Sequence, residues 1–171
     1  MKDKEKWITG LVNQHEQALC RYARSLAGDD ATALDAVQET FLRLCNVKPS
    51  KIAGHEAPWL YRVCRSRVLD LKKKEKPMQT LTPKHQAVIP AAGMLPDESA
   101  DQNDTNQLVA RLITTLPERQ QEIIRLKFQQ NLSYREISEV LGLSESNVGF
   151  LIHTGIKQLR DQMKRAQGVH A

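Results

Sequence analysis

Histidine, cysteine and carboxylate side chains are the usual carriers of metal binding and acid–base chemistry, and in this 171-residue chain they are dispersed. His15, His55, His85, His153 and His170 form no HExxH pair and no Cys/His ligand spacing, and no glycine-rich phosphate loop accompanies them. Cys20, Cys45 and Cys64 contain no CxxC pair and read as reduced thiols packed as small hydrophobes. No catalytic residue, metal site or cofactor is assigned. The chemistry these residue types do support is recognition of phosphates and bases. In PWLYRVCRSRVLDLKKKEK, Arg62, Arg65, Ser66, Leu69 and Lys73 fall within an arc of about 100° if the segment is helical. Trp59 lies at the edge of that arc, and Leu60, Val63, Cys64 and Leu71 fall opposite, as core. Cations that follow phosphates beside an aromatic face that stacks on an unpaired base suit a single nucleic-acid strand. A solvated charged face over a core tryptophan has the same composition.

The most specific pattern is LSYREISEVLGLSESNVGFLIHTGIKQL, residues 132–159. Ser133 and Glu136 fit a capping box, Ile137, Val140 and Leu141 give a short buried face, and Gly142 supplies a positive φ for a tight turn. Leu143 plugs the core, Ser144 caps the next helix, and Val148, Leu151, Ile152 and Leu159 continue the apolar face. A short helix, a glycine turn and a longer helix form the geometry that seats the second helix in the DNA major groove. An αα-hairpin that only packs is the plainer reading. The presumed reading helix carries no basic residue before Lys157, so Asn147 and His153 are left for base edges and Phe150 for a thymine methyl. Phosphate attraction then falls to Arg135, Lys157, Arg160 and Lys164.

The elements that position these residues are all helical. Apolar residues recur at steps of three and four without strand-type alternation. Leu11, His15, Ala18, Leu19, Tyr22 and Leu26 form one face closed by Gly28. Asp29 and Asp30 offer caps to a second helix through Leu34, Val37, Phe41, Leu44 and Cys45, which Pro49 ends. That helix presents a polar face of Asp35, Gln38, Glu39 and Arg43, suited to a protein partner. A polar loop runs from Asn46 to Ala57, and Pro58 opens the third helix at a first-turn position. Further on, Leu108, Val109, Leu112, Ile113 and Leu116 form a stripe, and Pro117 restarts a helix through Ile123, Ile124 and Phe128.

Charge divides the chain in three. Residues 1–77 carry a net +5, residues 78–105 a net −3 with four of the seven prolines, and residues 106–171 a net +3. The middle stretch holds no sustained period and reads as a flexible acidic linker. The expected architecture is all-α: two small helical domains, 1–77 and 106–171, joined by that linker, the second containing the helix-turn-helix. The composition, 40% hydrophobic and 26% charged, excludes a disordered or collagen-like chain. No run reaches the roughly 18 apolar residues of a membrane span. The polar start MKDKEK reads as no signal peptide, which places the chain in a reducing cytoplasm.

The order of these segments resembles the bacterial RNA polymerase sigma factors of the small extracytoplasmic-function (ECF) class. ALCRYARSLAGDDATALDAVQETFLRL is similar to the first two helices of the family's core-binding domain, and PWLYRVCRSRVLDLKKK to its promoter-melting helix. LPERQQEIIRLKFQQNLSYREISEVLGLS and SNVGFLIHTGIKQLR are similar to the −35 domain and its reading helix. The resemblance implies a sigma factor, not an enzyme, with core RNA polymerase, promoter DNA and an anti-sigma factor as partners. By position it places Asp35, Gln38, Glu39 and Thr40 against the polymerase. It places Trp59, Arg62, Arg65, Ser66, Lys73 and the loop from Asn46 to Glu56 against the −10 element. It places Arg135, Ser144, Asn147, Gly149, Phe150, His153, Thr154 and Lys157 at the −35 duplex. Ser66 stands where the family usually has Asn, and Leu34 where an acidic residue is common. Gly149, Phe150, Leu151 and Thr154 stand where many members have Lys, Ser and Arg. Two further readings remain open: a sigma mimic that occupies an anti-sigma factor, and a helix-turn-helix repressor.

Overall fold

The computed structural model describes residues 1–75 and 100–168, with side chains from residue 103 onward in the second stretch. These residues form two helical units. In the N-terminal unit, α1 (Lys2–Ala27), α2 (Asp30–Asn46) and α4 (Glu56–Glu75) pack on one another, with the one-turn α3 (Pro49–Ile52) between α2 and α4 in sequence. The junction of α1 and α2 takes two residues. Gly28 adopts the left-handed conformation at φ 80° and donates its N–H to the Arg24 carbonyl, a conformation that glycine adopts without steric cost. Asp29 then caps α2, its carboxylate accepting from the Thr32 N–H at 2.7 Å.

Small residues let these helices approach: Ala23 on α1 and Ala33 and Ala36 on α2 are fully buried beside Leu19, Val37 and Leu44. From α4, Leu60, Tyr61, Cys64 and Val68 complete the core, and the Tyr61 ring meets Tyr22 edge-on with centroids 5.2 Å apart. The C-terminal end of α4 is tied back. Lys72 donates to the Leu26 carbonyl at 2.9 Å, placing a cation at the negative end of α1. Thr32 donates to Glu75 at 3.3 Å.

In the C-terminal unit, α5 (Ala100–Ile113), α6 (Glu118–Ile124), α7 (Tyr134–Leu141) and α8 (Glu145–Gly168) follow in order, α6 continuing through a π-helical turn at Arg125–Gln129. Ile113, Leu116 and Ile124 pack with Val109 and Leu159, and Ile123, Leu126, Leu132, Ile137, Val140, Val148 and Ile152 are buried. Gly155 permits the approach of α6 to α8: a Cβ there would lie 2.8 Å from the Ile124 Cδ1 atom. The expected capping box is reciprocal. The Glu136 N–H donates to the Ser133 hydroxyl at 3.1 Å, and the Ser133 N–H donates to the Glu136 carboxylate at 2.7 Å.

The all-α expectation holds, since every regular element among the described residues is a helix, and several boundaries differ. α2 stops at Asn46, with Val47 extended, and Pro49 instead opens α3, where its missing N–H costs nothing. Leu34 and Cys45 are exposed, while Thr32, Ala33, Ala36 and Thr40 are buried, so the inner face of α2 is made of smaller residues than the apolar pattern implied. Phe128 is also exposed, because the π-helical turn shifts its phase. α5 begins at Ala100, inside the stretch expected as linker. The rest of the expected linker, residues 78–99, lies outside the described residues.

Candidate nucleic-acid interface

Along α4 the buried residues Leu60, Cys64 and Val68 define the inward side, and Arg62, Ser66, Leu69 and Lys73 are exposed on the other. Their spacing of four, three and four residues makes one stripe about 16 Å long at 1.5 Å per residue. Trp59, in the first turn, and Arg65 are half-buried at its margin. The stripe brings together Arg62, Ser66 and Lys73, with Trp59 and Arg65 at its edge, and the expected loop from Asn46 to Glu56 lies outside it. Lys72 is spent inside the unit on the Leu26 carbonyl, so the lysine run offers Lys73 and Lys74 to a ligand. Two residues placed differently from expectation, Val63 and Leu71, are half-buried, while Tyr61 and Val68 take the fully buried positions.

The inner surface behind the stripe holds its titratable groups neutral. Burial pushes the Cys64 thiol up to about 12, partly offset by its hydrogen bond with Thr40. Burial likewise raises the Tyr61 phenol. On α2, Asp35 and Gln38 are exposed and Glu39 is half-buried, forming the expected outward face with Arg43, which donates to Glu39 at 3.1 Å. Asp35 faces Arg67 of α4 at 3.9 Å. Thr40 departs from expectation: it is fully buried, its hydroxyl donating to the Ala36 carbonyl at 2.7 Å, and it has no surface to offer a partner. Two leucines on α2 are exposed, Leu34, expected on the apolar face, at 44% and Leu42, not singled out from the sequence, at 63%.

In the C-terminal unit the turn between α7 and α8 is held by Gly142 at φ 67° and by the Ser138 hydroxyl, which donates to the Leu143 carbonyl at 2.5 Å. Ser144 caps α8, its hydroxyl accepting from the Asn147 N–H at 3.1 Å. Val148, Ile152 and Gly155 face inward, which turns Ser146, Phe150, His153 and Lys157 to solvent. Asn147 and Arg135 are exposed as well. Two expected groove residues also make contacts within the fold. Thr154 is half-buried, accepts from the Gln120 side chain at 2.9 Å and donates to the Phe150 carbonyl at 3.0 Å. Gly149 lies beneath Tyr134, whose ring would be 3.4 Å from an added Cβ. Tyr134 was not singled out from the sequence. It is 42% exposed, with the Lys127 ammonium 5.3 Å from its ring centroid, and an aromatic directly after a capping serine was the signal available. Among the described residues no cluster of His, Cys, Asp or Glu could hold a metal ion, and no helix is long and apolar enough to cross a membrane.

A capped helix-turn-helix in one unit, and a helix with an exposed basic stripe in the other, are the features of a helical nucleic-acid-binding protein. Comparison with known sequences narrows this. The sigma-70 region 2 family matches residues 11–77, and the sigma-70 region 4 family matches residues 106–159. The ECF RNA polymerase sigma factor SigW of Bacillus subtilis is 27% identical over 174 residues, covering 95% of this chain and 92% of the relative. SigL of Mycobacterium tuberculosis, also an ECF RNA polymerase sigma factor, is 29% identical over 156 residues, covering 90% and 86%. Two solved structures share the fold. RpoE of Bartonella quintana, in complex with the anti-sigma factor NepR, aligns with a TM-score of 0.67 at 19% identity, covering 96% of this chain and 98% of that one. CnrH, in complex with the cytosolic domain of CnrY, aligns at 0.61 and 22%, covering 94% and 90%. The chain belongs to the sigma-70 family of RNA polymerase sigma factors, in the ECF class. It is a transcription initiation factor.

Proposed function

We propose that the chain binds core RNA polymerase through the outward face of α2 and the melted −10 strand through α4, while α8 enters the −35 duplex. Residues 1–77 and 106–171 are the two functional domains, the second extended backward to include all of α5, and residues 78–99 connect them. The observation that carries this reading is the stripe of Arg62, Ser66 and Lys73, which is exposed along the side of α4 opposite the core. Such a stripe beside an aromatic, Trp59, suits a single strand, whose phosphates attract cations and whose bases stack. Asp35, Gln38 and Glu39 supply polar contacts for the polymerase, and the exposed Leu34 and Leu42 supply apolar ones. An anti-sigma factor and a cytoplasmic setting complete the proposal. RpoE of Bartonella quintana is seen bound to such a factor.

The test is run-off transcription with purified protein, sigma-free bacterial RNA polymerase and DNA upstream of the chain's own gene. Transcripts that depend on the protein are expected. Arg62→Ala should lower promoter opening about ten-fold, the order expected for one charge-assisted contact, while polymerase binding changes less than two-fold. Equal loss of both would remove α4 from the −10 strand. Absence of both transcripts and polymerase binding would favour the sigma mimic, a reading motivated by the lack of cations at the start of α8.

A further inference from the structure

We propose that Phe150 reads thymine methyl groups in the −35 duplex, so that the ligand of this reading helix is an element of A·T pairs. The inference rests on the assignment of α8 to the −35 duplex and deepens it. Phe150 is 63% exposed at the middle of the solvent stripe of α8, one turn after Ser146 and one turn before His153. Its ring contributes nothing to the buried core, which is made on this helix by Val148, Ile152 and Gly155.

The neighbouring side chains remove the alternatives. Guanine is read by paired donors from Arg or Lys, and residues 145–156 contain neither. Lys157 lies about 10 Å along the helix from Phe150, close to the full width of the major groove, about 12 Å. Thr154 has its hydroxyl committed to Gln120 and Phe150, and Ser144 accepts from the Asn147 N–H, which leaves its proton for a phosphate or for any base. Glu145, an acceptor suited to cytosine, is set about 120° round the helix from the stripe. What remains exposed at the reading end is Ser146, whose hydroxyl suits any base, with the Asn147 amide, the Phe150 ring and His153. An amide pairs with the N6 and N7 edge of adenine, and an aromatic face packs on the methyl of thymine. Both readings select A·T pairs.

The experiment uses the full chain bound to core RNA polymerase. A duplex pool randomised over eight base pairs upstream of a fixed start region is selected for binding, and the selected duplex is resynthesised with deoxyuridine in place of each thymine, which removes only the methyl. Enrichment of A·T pairs is expected, with affinity falling about four-fold for each methyl removed, the size of one buried methyl group. Phe150→Ala should bind thymine and deoxyuridine duplexes equally, and Phe150→Leu should keep most of the discrimination. Lys157→Ala should weaken both duplexes alike. Enrichment of G·C pairs, or a selected duplex indifferent to deoxyuridine, would overturn the role of Phe150 while leaving α8 at the −35 element. No enrichment at any randomised position would overturn that assignment as well.

Discussion

The Thr40 hydroxyl donates to the Ala36 carbonyl inside α2 and hydrogen-bonds with the buried Cys64 thiol of α4, so a polar group joins two helices in a dry interior. Its neighbour Glu39 stands half in water with Arg43. Adjacent residues on one helix therefore carry separable duties, because a step of about 100° turns one inward and the next outward. Thr40→Ala should lower the stability of the N-terminal unit by about 1–2 kcal/mol, through the lost hydrogen bond and methyl. Polymerase binding measured well below the unfolding transition should stay unchanged. Glu39→Lys should do the reverse, leaving urea unfolding in place and weakening polymerase binding. If Thr40→Ala weakened polymerase binding without a change in stability, the hydroxyl would be a contact residue after all.

At the scale of elements, the chain's pattern of caps is what made the C-terminal unit legible. Ser133 with Glu136, Gly142 and Ser144 each act in the structure as their types and spacing imply, because a capping side chain answers to backbone groups only a few residues away. The inner face of α2 was less legible. Ala33, Ala36 and Thr40 are buried by helices distant in sequence, and small residues give little amphipathic signal on their own. The stripe on α4 was readable from phase alone, yet the diversion of Lys72 to the end of α1 was not, since it depends on where α1 stops. Gly155 shows the same dependence. In sequence it is one glycine in a helical run, and in the fold it faces Ile124 with no room for a Cβ. Gly155→Val should destabilise the C-terminal unit by about 1–3 kcal/mol, because the added atoms meet the Ile124 side chain. Thermal unfolding would check this, and truncation of the opposing side chain in Ile124→Ala, Gly155→Val should recover part of the loss relative to Ile124→Ala alone.

For the whole molecule, a net charge of +5 on 171 residues is modest for a nucleic-acid-binding protein, and its placement matters more than its size. Among the exposed cations of α7 and α8 are Arg135, Lys157, Arg160 and Lys164, with Arg165 in the last turn of α8. If the first four meet phosphates, the logarithm of duplex affinity should fall with the logarithm of salt at a slope of about −4. Lys157→Ala should reduce that slope by about one, which a salt titration of the free protein on duplex DNA would measure. A slope near −1 would mean that these cations serve another partner. The arrangement has a consequence for how such a protein diversifies. α8 is a single 24-residue helix, with Asn147 and Phe150 in its first two turns and Lys157, Arg160 and Lys164 beginning about 10 Å further along. If α8 reads the −35 duplex as proposed, the choice of promoter and the firmness of the grip are written on different turns. After gene duplication, one copy can acquire new target genes by changes confined to the first two turns, with the strength of its attachment inherited intact.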